Sequence, residues 1–287
     1  MTVAMTDLTF DCMGTTVRLL TDDADECRAF LEHFDATLSR FRPDSELCRL
    51  NADPREEVPV SGLLHAAVSA GLLADELTGG LVDPTLVAQL EANGYDRTRR
   101  APELALEQAL AEAPPRRPAA PDPDEPWRQV VLTDDCVRRP PGLRLDTGGT
   151  GKGLAADVLA NQLEGRWAVD CGGDLRVGGA HDVEVRHPLT HTSIHTLHIQ
   201  NGAVATSGID TRLWRALDGT PRHHLLDPST GAPAWTGLIS VTALAPTALV
   251  AEALAKAALL SGPRGAARWL TRYGGLLVTD DGDVHFL

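Results

Sequence analysis

The chain has 287 residues, 43% hydrophobic but only 4% aromatic, so leucine, valine and alanine must fill its core. That length suits one large domain or two modest lobes. A formal net charge of -14 argues against a nucleic-acid backbone or an anionic membrane as the main partner. Five scattered cysteines without a Cys-x-x-Cys make neither a disulfide framework nor a zinc site, and reduced thiols are expected. The start, MTVAMTDLTFDCMGTTVRLL, lacks a basic stretch followed by a continuous apolar run. A cytoplasmic location without signal peptide or lipid anchor is therefore expected. No segment reads as a membrane span; the Ala/Leu-rich stretch after residue 238 is broken by Pro246, Glu252 and Lys256.

In chain order, FDCMGTTVRLL (10–20) reads as an opening strand. DECRAFLEHFDATLSRF (25–41) reads as a helix with Phe30, Leu31, Phe34 and Leu38 on one face. Ser61 is a plausible N-cap for a second helix through Leu73. Residues 113–126, APPRRPAAPDPDEP, carry six prolines, which remove backbone donors and fix φ. They predict an extended, flexible insertion within a single 1–287 domain rather than a linker. RWAVDCGGDLRVGG (166–179) reads as strand, glycine turn, strand. TLHIQNGAVATSG (196–208) reads as two strands joined at Asn201-Gly202, because both residues tolerate the positive φ of a type I′ turn. ISVTAL (239–244) is a further strand, and TALVAEALAKAALL (247–260) a helix ended by Ser261-Gly262-Pro263. GLLVTDDGDVHFL closes the chain as a hairpin. Without regular strand–helix alternation, the pattern predicts an α+β fold with largely antiparallel sheet.

LDTGGTGKGLAADVLA (145–160) fits none of its look-alikes. A P-loop needs glycine at 146 and Ser or Thr at 153, where Asp146 and Gly153 stand. A dinucleotide fingerprint needs a small residue where Leu154 stands. An aspartic-protease pair needs a second Asp-Thr-Gly, which is absent. Small residues do let backbone N–H groups approach an anion, with a helix N-terminus from about Leu154 and Lys152 beside it. Taken alone, the stretch reads equally as a tight strand-to-helix turn.

Set beside Met13-Gly14-Thr15, SRFRPDSELCRLN (39–51), GGLVDPT (79–85), VDCGGDLRVGG (169–179), ATSGID (205–210), HLLDPSTGAP (224–233) and AEALAKAALLSG (251–262), it gains a context. Together these ordered motifs resemble the ApbE family of FAD:protein FMN transferases over nearly the full chain. The resemblance implies a cleft for FAD between two lobes. It implies transfer of FMN to a Thr or Ser hydroxyl of an acceptor flavoprotein with release of AMP, and typically Mg²⁺. It makes His224 the general base, with Asp227 orienting it or binding the flavin side. Met13 and Asp83 would touch the flavin or ribityl region. Asp146, Gly149 and Lys152 would line the phosphates, and Thr206 and Ser207 would hydrogen-bond the dinucleotide. Arg40 and Arg42 read better as packing residues than as ligands of the adenine half.

The family's metal-binding Asp and Thr correspond to Glu252 and Lys256 here. Three readings stay open. Lys256 could supply the metal's charge to the diphosphate with Glu252 holding it. The two could form a surface pair worth roughly 0.2–0.5 kcal/mol. Or Mg²⁺ could still bind through Glu252 and the carbonyl of Gly149. A non-catalytic FAD-binding protein, a flavin carrier or reductase-like, is the alternative function. His181, His187, His191, His195 and His198 read as exposed strand and turn residues rather than as a metal site.

Overall fold

Met13 and Gly14 both adopt positive φ, 52° and 68°, and this turns the expected single opening strand into a hairpin. Left-handed backbone at two successive residues matches the right-handed twist of the strands it joins. Methionine rarely takes that conformation, so the turn carries no Asn-Gly or Asp-Gly signal. The computed structural model describes residues 5–287. Residues 1–4, within the opening stretch read for an export signal, lie outside the described residues.

The main sheet has eight strands: β1 (Thr6–Cys12), β2 (Thr15–Thr21), β3 (Trp167–Cys171), β4 (Asp174–Arg186), β5 (Ser193–Gly208), β6 (Leu238–Ala245), β7 (Gly275–Thr279) and β8 (Val284–Phe286). Each pairs antiparallel with the next in sequence, so the sheet is a meander interrupted by long insertions. The α+β reading holds, and so does the closing hairpin β7–β8.

Asn201-Gly202 is not a hairpin. Both residues lie inside β5, which pairs along its length with β4. The register slips between Val177 and Ala180, and Asn201 sits there at φ 56° with its Oδ1 accepting from Gly179 N at 2.7 Å. The positive φ foreseen for Asn201 is real, but it serves a bulge that bends a long strand.

Residues 22–166 form the first insertion, carrying α1 (Ala24–Leu38), α2 (Glu46–Ala52), α3 (Gly62–Thr78), the short α4 (Val87–Ala92) and α5 (Leu106–Glu112), and α6 (Gly151–Ala160). The first helix ends at Leu38 rather than Phe41, leaving Arg40 and Phe41 in a turn. Ser61 is the N-cap expected: its hydroxyl accepts from Leu64 N, and α3 runs on to a left-handed Gly79. Residues 113–122 are extended, turn at Pro123–Asp124, and are tied down in the middle. Arg117 N donates to Trp235 O, Ala119 N to Leu260 O, and Ser229 N to Ala120 O.

α7 (Ala248–Gly265) lies against β5 and β6, kinked at Gly262 where φ is 69°. Its alanines 251, 253, 255, 257 and 258 are buried, and their small size lets α6 come close. The closest approach is at Gly153, where an added Cβ would stand 2.7–2.8 Å from the backbone of Ala248 and Leu249. The two helices cap each other there. Asp157 of α6 accepts from Ala248 N and Leu249 N of α7 at 2.8 and 2.9 Å. Glu252 of α7 accepts from Gly153 N of α6 at 2.9 Å. Each carboxylate satisfies donors that a helix start leaves without an intrahelical partner, so two positive helix ends meet at one point. Among the described residues no helix is long and apolar enough to cross a membrane.

Candidate active site

A cleft of about 860 Å³ opens between the sheet and the helical insertion. It reaches from the Met13 turn past the 146–152 loop to His224 and Lys256. Of the residues singled out from sequence, Met13, Asp83, Asp146, Gly149, Lys152, Thr206, Ser207, His224 and Lys256 all line it. Glu252 and Asp227 do not.

The glycine loop is a working turn into α6. Asp146 accepts from Gly148 N at 2.8 Å, and Gly151 N donates to Thr147 O at 2.7 Å. The helix begins at Gly151, a turn earlier than Leu154. This puts Lys152 on its first turn at the cleft wall. The Lys152 ammonium is paired with Asp174, the first residue of β4, a partner that sequence did not reveal. Burial works against its charge, but Asp174 and Glu252 outweigh burial and raise Lys152 above the usual lysine range.

Glu252 is fully buried beneath the loop. Its Oε2 takes Gly153 N, and its Oε1 takes Lys256 Nζ at 2.8 Å with Lys152 Nζ 3.9 Å away. Burial and then the Asp174 charge push its carboxyl up, with Lys256 and Lys152 pulling back. This arrangement does not suit the Mg²⁺ expected at Gly149 and Glu252. Both Glu252 oxygens are engaged and two ammonium groups crowd the same carboxylate. Nor is Glu252–Lys256 a surface pair, since the Lys256 side chain is only 13% exposed.

His224 follows a short strand, Pro221–His223, and turns into the cleft, while His223 is buried against Trp235 on the other side. Burial, helped by the charges of Arg212, Lys256 and Lys152, holds the His224 imidazole well below its usual range. It is therefore neutral and able to accept a proton. Its Nδ1 is buried without a partner, so no carboxylate fixes its tautomer.

Asp227, expected beside it, caps the following turn instead. Its Oδ1 accepts from Ser229 N at 3.1 Å, Ser229 Oγ at 2.8 Å and Ala120 N at 3.1 Å. An Asp-Pro-Ser turn uses its own acid this way for local reasons.

Arg40 packs, as the sequence suggested, and does so at the cleft wall. Its guanidinium lies over Phe41 and Tyr95, 4.4 and 5.3 Å from the ring centroids. It also pairs with Asp146 at 3.3 Å on the cleft wall. Tyr95, stacked on Trp214 at 5.5 Å and 6.1 Å from the His224 ring, extends an aromatic face there. Asp83 Oδ1 accepts from Thr85 N at 2.7 Å, and its buried Oδ2 has no partner. Thr206 shares a hydrogen bond with Thr242 Oγ1 at 2.9 Å. Tyr95 and Arg212 carried no motif signal, and Asp174, though inside the VDCGGDLRVGG stretch, was not singled out; long-range folding brings them in.

The five clustered histidines do not assemble. His187 is buried, its Nδ1 accepting from Leu189 N at 3.1 Å and its Nε2 3.0 Å from Gly282 O, so it staples a loop rather than standing exposed. His198 pairs with Asp182, and His195 packs on Phe286.

The profile of the ApbE family matches residues 13–278. The chain belongs to the ApbE family. The FAD:protein FMN transferase of Klebsiella pneumoniae is 30% identical, the match covering 91% of this chain and 80% of that protein. The enzyme of the same name from Treponema pallidum is 28% identical over 88% of this chain and 75% of its own. The crystal structure of the ApbE protein from Thermotoga maritima superposes with a TM-score of 0.80 at 26% identity, covering 98% of this chain and 96% of that one.

Proposed function

We propose that this ApbE-family chain is an FAD:protein FMN transferase that moves FMN from FAD to a Thr or Ser hydroxyl of an acceptor flavoprotein and releases AMP. One observation carries the reading. A single cleft joins the start of α6 and two lysines, suited to a diphosphate, to a neutral imidazole suited to take a proton.

The acceptor oxygen forms a bond to the FMN-side phosphorus as the bond from that phosphorus to the bridging oxygen breaks. The bridging oxygen leaves with AMP, and the hydroxyl proton passes to His224. Charge on the phosphate oxygens is met by Lys152, Lys256 and the start of α6, and such preorganised donors are the main lever in phosphoryl transfer. The aromatic face of Tyr95 and the free Oδ2 of Asp83 offer stacking and hydrogen bonding to the flavin half. Thr206 and Ser207 lie where hydroxyls can reach the dinucleotide.

The poor fit of the residues to a metal favours one alternative, an FAD-binding protein that does not transfer. Incubation with FAD and an acceptor carrying the target hydroxyl separates the two. Transfer gives acceptor-bound flavin fluorescence on a denaturing gel and an equal amount of AMP. Flavin that washes off on denaturation, with no AMP, would establish the non-catalytic binder.

A further inference from the structure

The junction of α6 and α7 is built around cations that belong to the chain. Glu252 is held at the first turn of α6 by Gly153 N and cannot turn toward the cleft without breaking that cap. Its other oxygen holds Lys256, one helical turn along α7, and lies within reach of Lys152. Lys152 is fixed from the far side by Asp174. Two ammonium groups are thus tethered through one buried carboxylate, and both line the cleft. A lysine has three N–H donors, and Lys256 spends one on Glu252. A divalent ion on Glu252 would have to displace an ammonium and sit beside a second.

We propose that Lys152 and Lys256 together take the place of a divalent cation, neutralising the diphosphate of the bound dinucleotide, so that this chain binds and uses FAD without Mg²⁺. The transfer step in this proposal rests on the functional reading above; the binding step does not.

Charge balance supports it. The ammonium groups and the carboxylates of Asp174 and Glu252 cancel formally, so the cluster can be buried without a bound ion. An incoming diphosphate then takes hydrogen bonds from the spare N–H donors of the lysines and net positive charge from the start of α6 and from Arg212, which lines the cleft and whose charge is felt at both Lys152 and His224. Because the lysines are held before any ligand arrives, little side-chain ordering is left for the binding step.

The test uses the full chain treated with EDTA and then dialysed. FAD affinity is read from quenching of flavin fluorescence, in chelator and in saturating Mg²⁺. Metal uptake by the FAD complex is read from the electron paramagnetic resonance of added Mn²⁺. The affinity is expected to be the same in both buffers, with no stoichiometric Mn²⁺ bound. Lys256→Met is expected to weaken FAD by roughly 10-fold or more, about 1.4 kcal/mol, while its thermal midpoint reports whether the fold survives. If Lys256→Met lowers that midpoint sharply, Lys256→Arg, which keeps the charge, should restore FAD affinity. AMP release in the presence of acceptor should also persist in EDTA. Loss of FAD affinity in EDTA with recovery in Mg²⁺, one Mn²⁺ held per complex, or unchanged FAD affinity in folded Lys256→Met overturns the proposal. If no acceptor yields AMP in either buffer, the transfer reading fails while the binding arm still decides the metal question.

Discussion

The two ends of the cleft are built on opposite principles. At the α6–α7 end every charged group has a protein partner: Lys152 with Asp174, Lys256 with Glu252, Glu252 with Gly153 N. At the Tyr95 end polar atoms are buried and left alone: Arg40 Nη2, Asp83 Oδ2 and His224 Nδ1. An unpartnered buried polar group costs about 1–3 kcal/mol. All three belong to residues that line the cleft, where a bound ligand can partner them. The first end is finished before any ligand arrives, and the second is completed by it. Substitutions of the buried residues that hold the first end together, Glu252 and Gly153, should therefore damage stability, and those at the second should damage activity with the fold intact.

The largest expected effect tests the second end. His224→Gln should lower the rate of AMP release by about 10²–10⁴-fold, the usual contribution of a positioned proton acceptor, with FAD affinity nearly unchanged. The wild-type pH profile sharpens this. His224 is neutral down to well below the usual histidine range, so kcat/KM should show no acid limb near the ordinary histidine pKa of about 6.5. A limb at that pH that disappears in His224→Gln would mean that this imidazole is not held neutral.

Next comes the first end. Glu252→Ala removes the shared partner of two ammonium groups and an amide, and should cost about 3–5 kcal/mol in chemical unfolding, as for other broken buried ion pairs. Smaller again is Gly153→Ala. Its methyl would meet the backbone of Ala248 and Leu249 and should cost about 1–3 kcal/mol by overpacking. If either variant kept full stability while losing activity, the division between the two ends would be wrong.

What the sequence disclosed follows the same line. Local chemistry was legible: the Ser61 cap, the periodicity of α1 and α7, the glycine turn at 172–173 and the closing hairpin each depend on residues near one another. The 146–152 loop was legible as a shape, but not its neutralising partner, because Asp174 reaches it only after the sheet has formed. Asn201 announced a positive φ, and only the length of β4 decided that this made a bulge rather than a turn. Met13 announced nothing, since no local rule places methionine at φ 52°. Arg40 was legible as a packing residue, but what it packs on was not, because Tyr95 and Asp146, which hold it, lie 55 and 106 residues away.

The smallest effect separates a turn from a catalytic pair. Asp227 stands three residues after His224, where the family resemblance suggested an orienting carboxylate, yet its Oδ1 is committed to Ala120 and Ser229. An asparagine at this position would keep an oxygen that can accept the same bonds. Asp227→Asn should therefore cost less than about 1 kcal/mol of stability and leave both the rate of AMP release and its pH dependence where they were. Asp227→Ala removes the acceptor and should cost about 1 kcal/mol, again without a change in the pH profile. An orienting role predicts otherwise: the asparagine would hold the wrong tautomer of His224, and the rate would fall by orders of magnitude in a protein whose unfolding midpoint had not moved. That result would place Asp227 at the ligand-completed end of the cleft, and the unpartnered Nδ1 of His224 would then need a partner that the folded chain supplies only when substrate is bound.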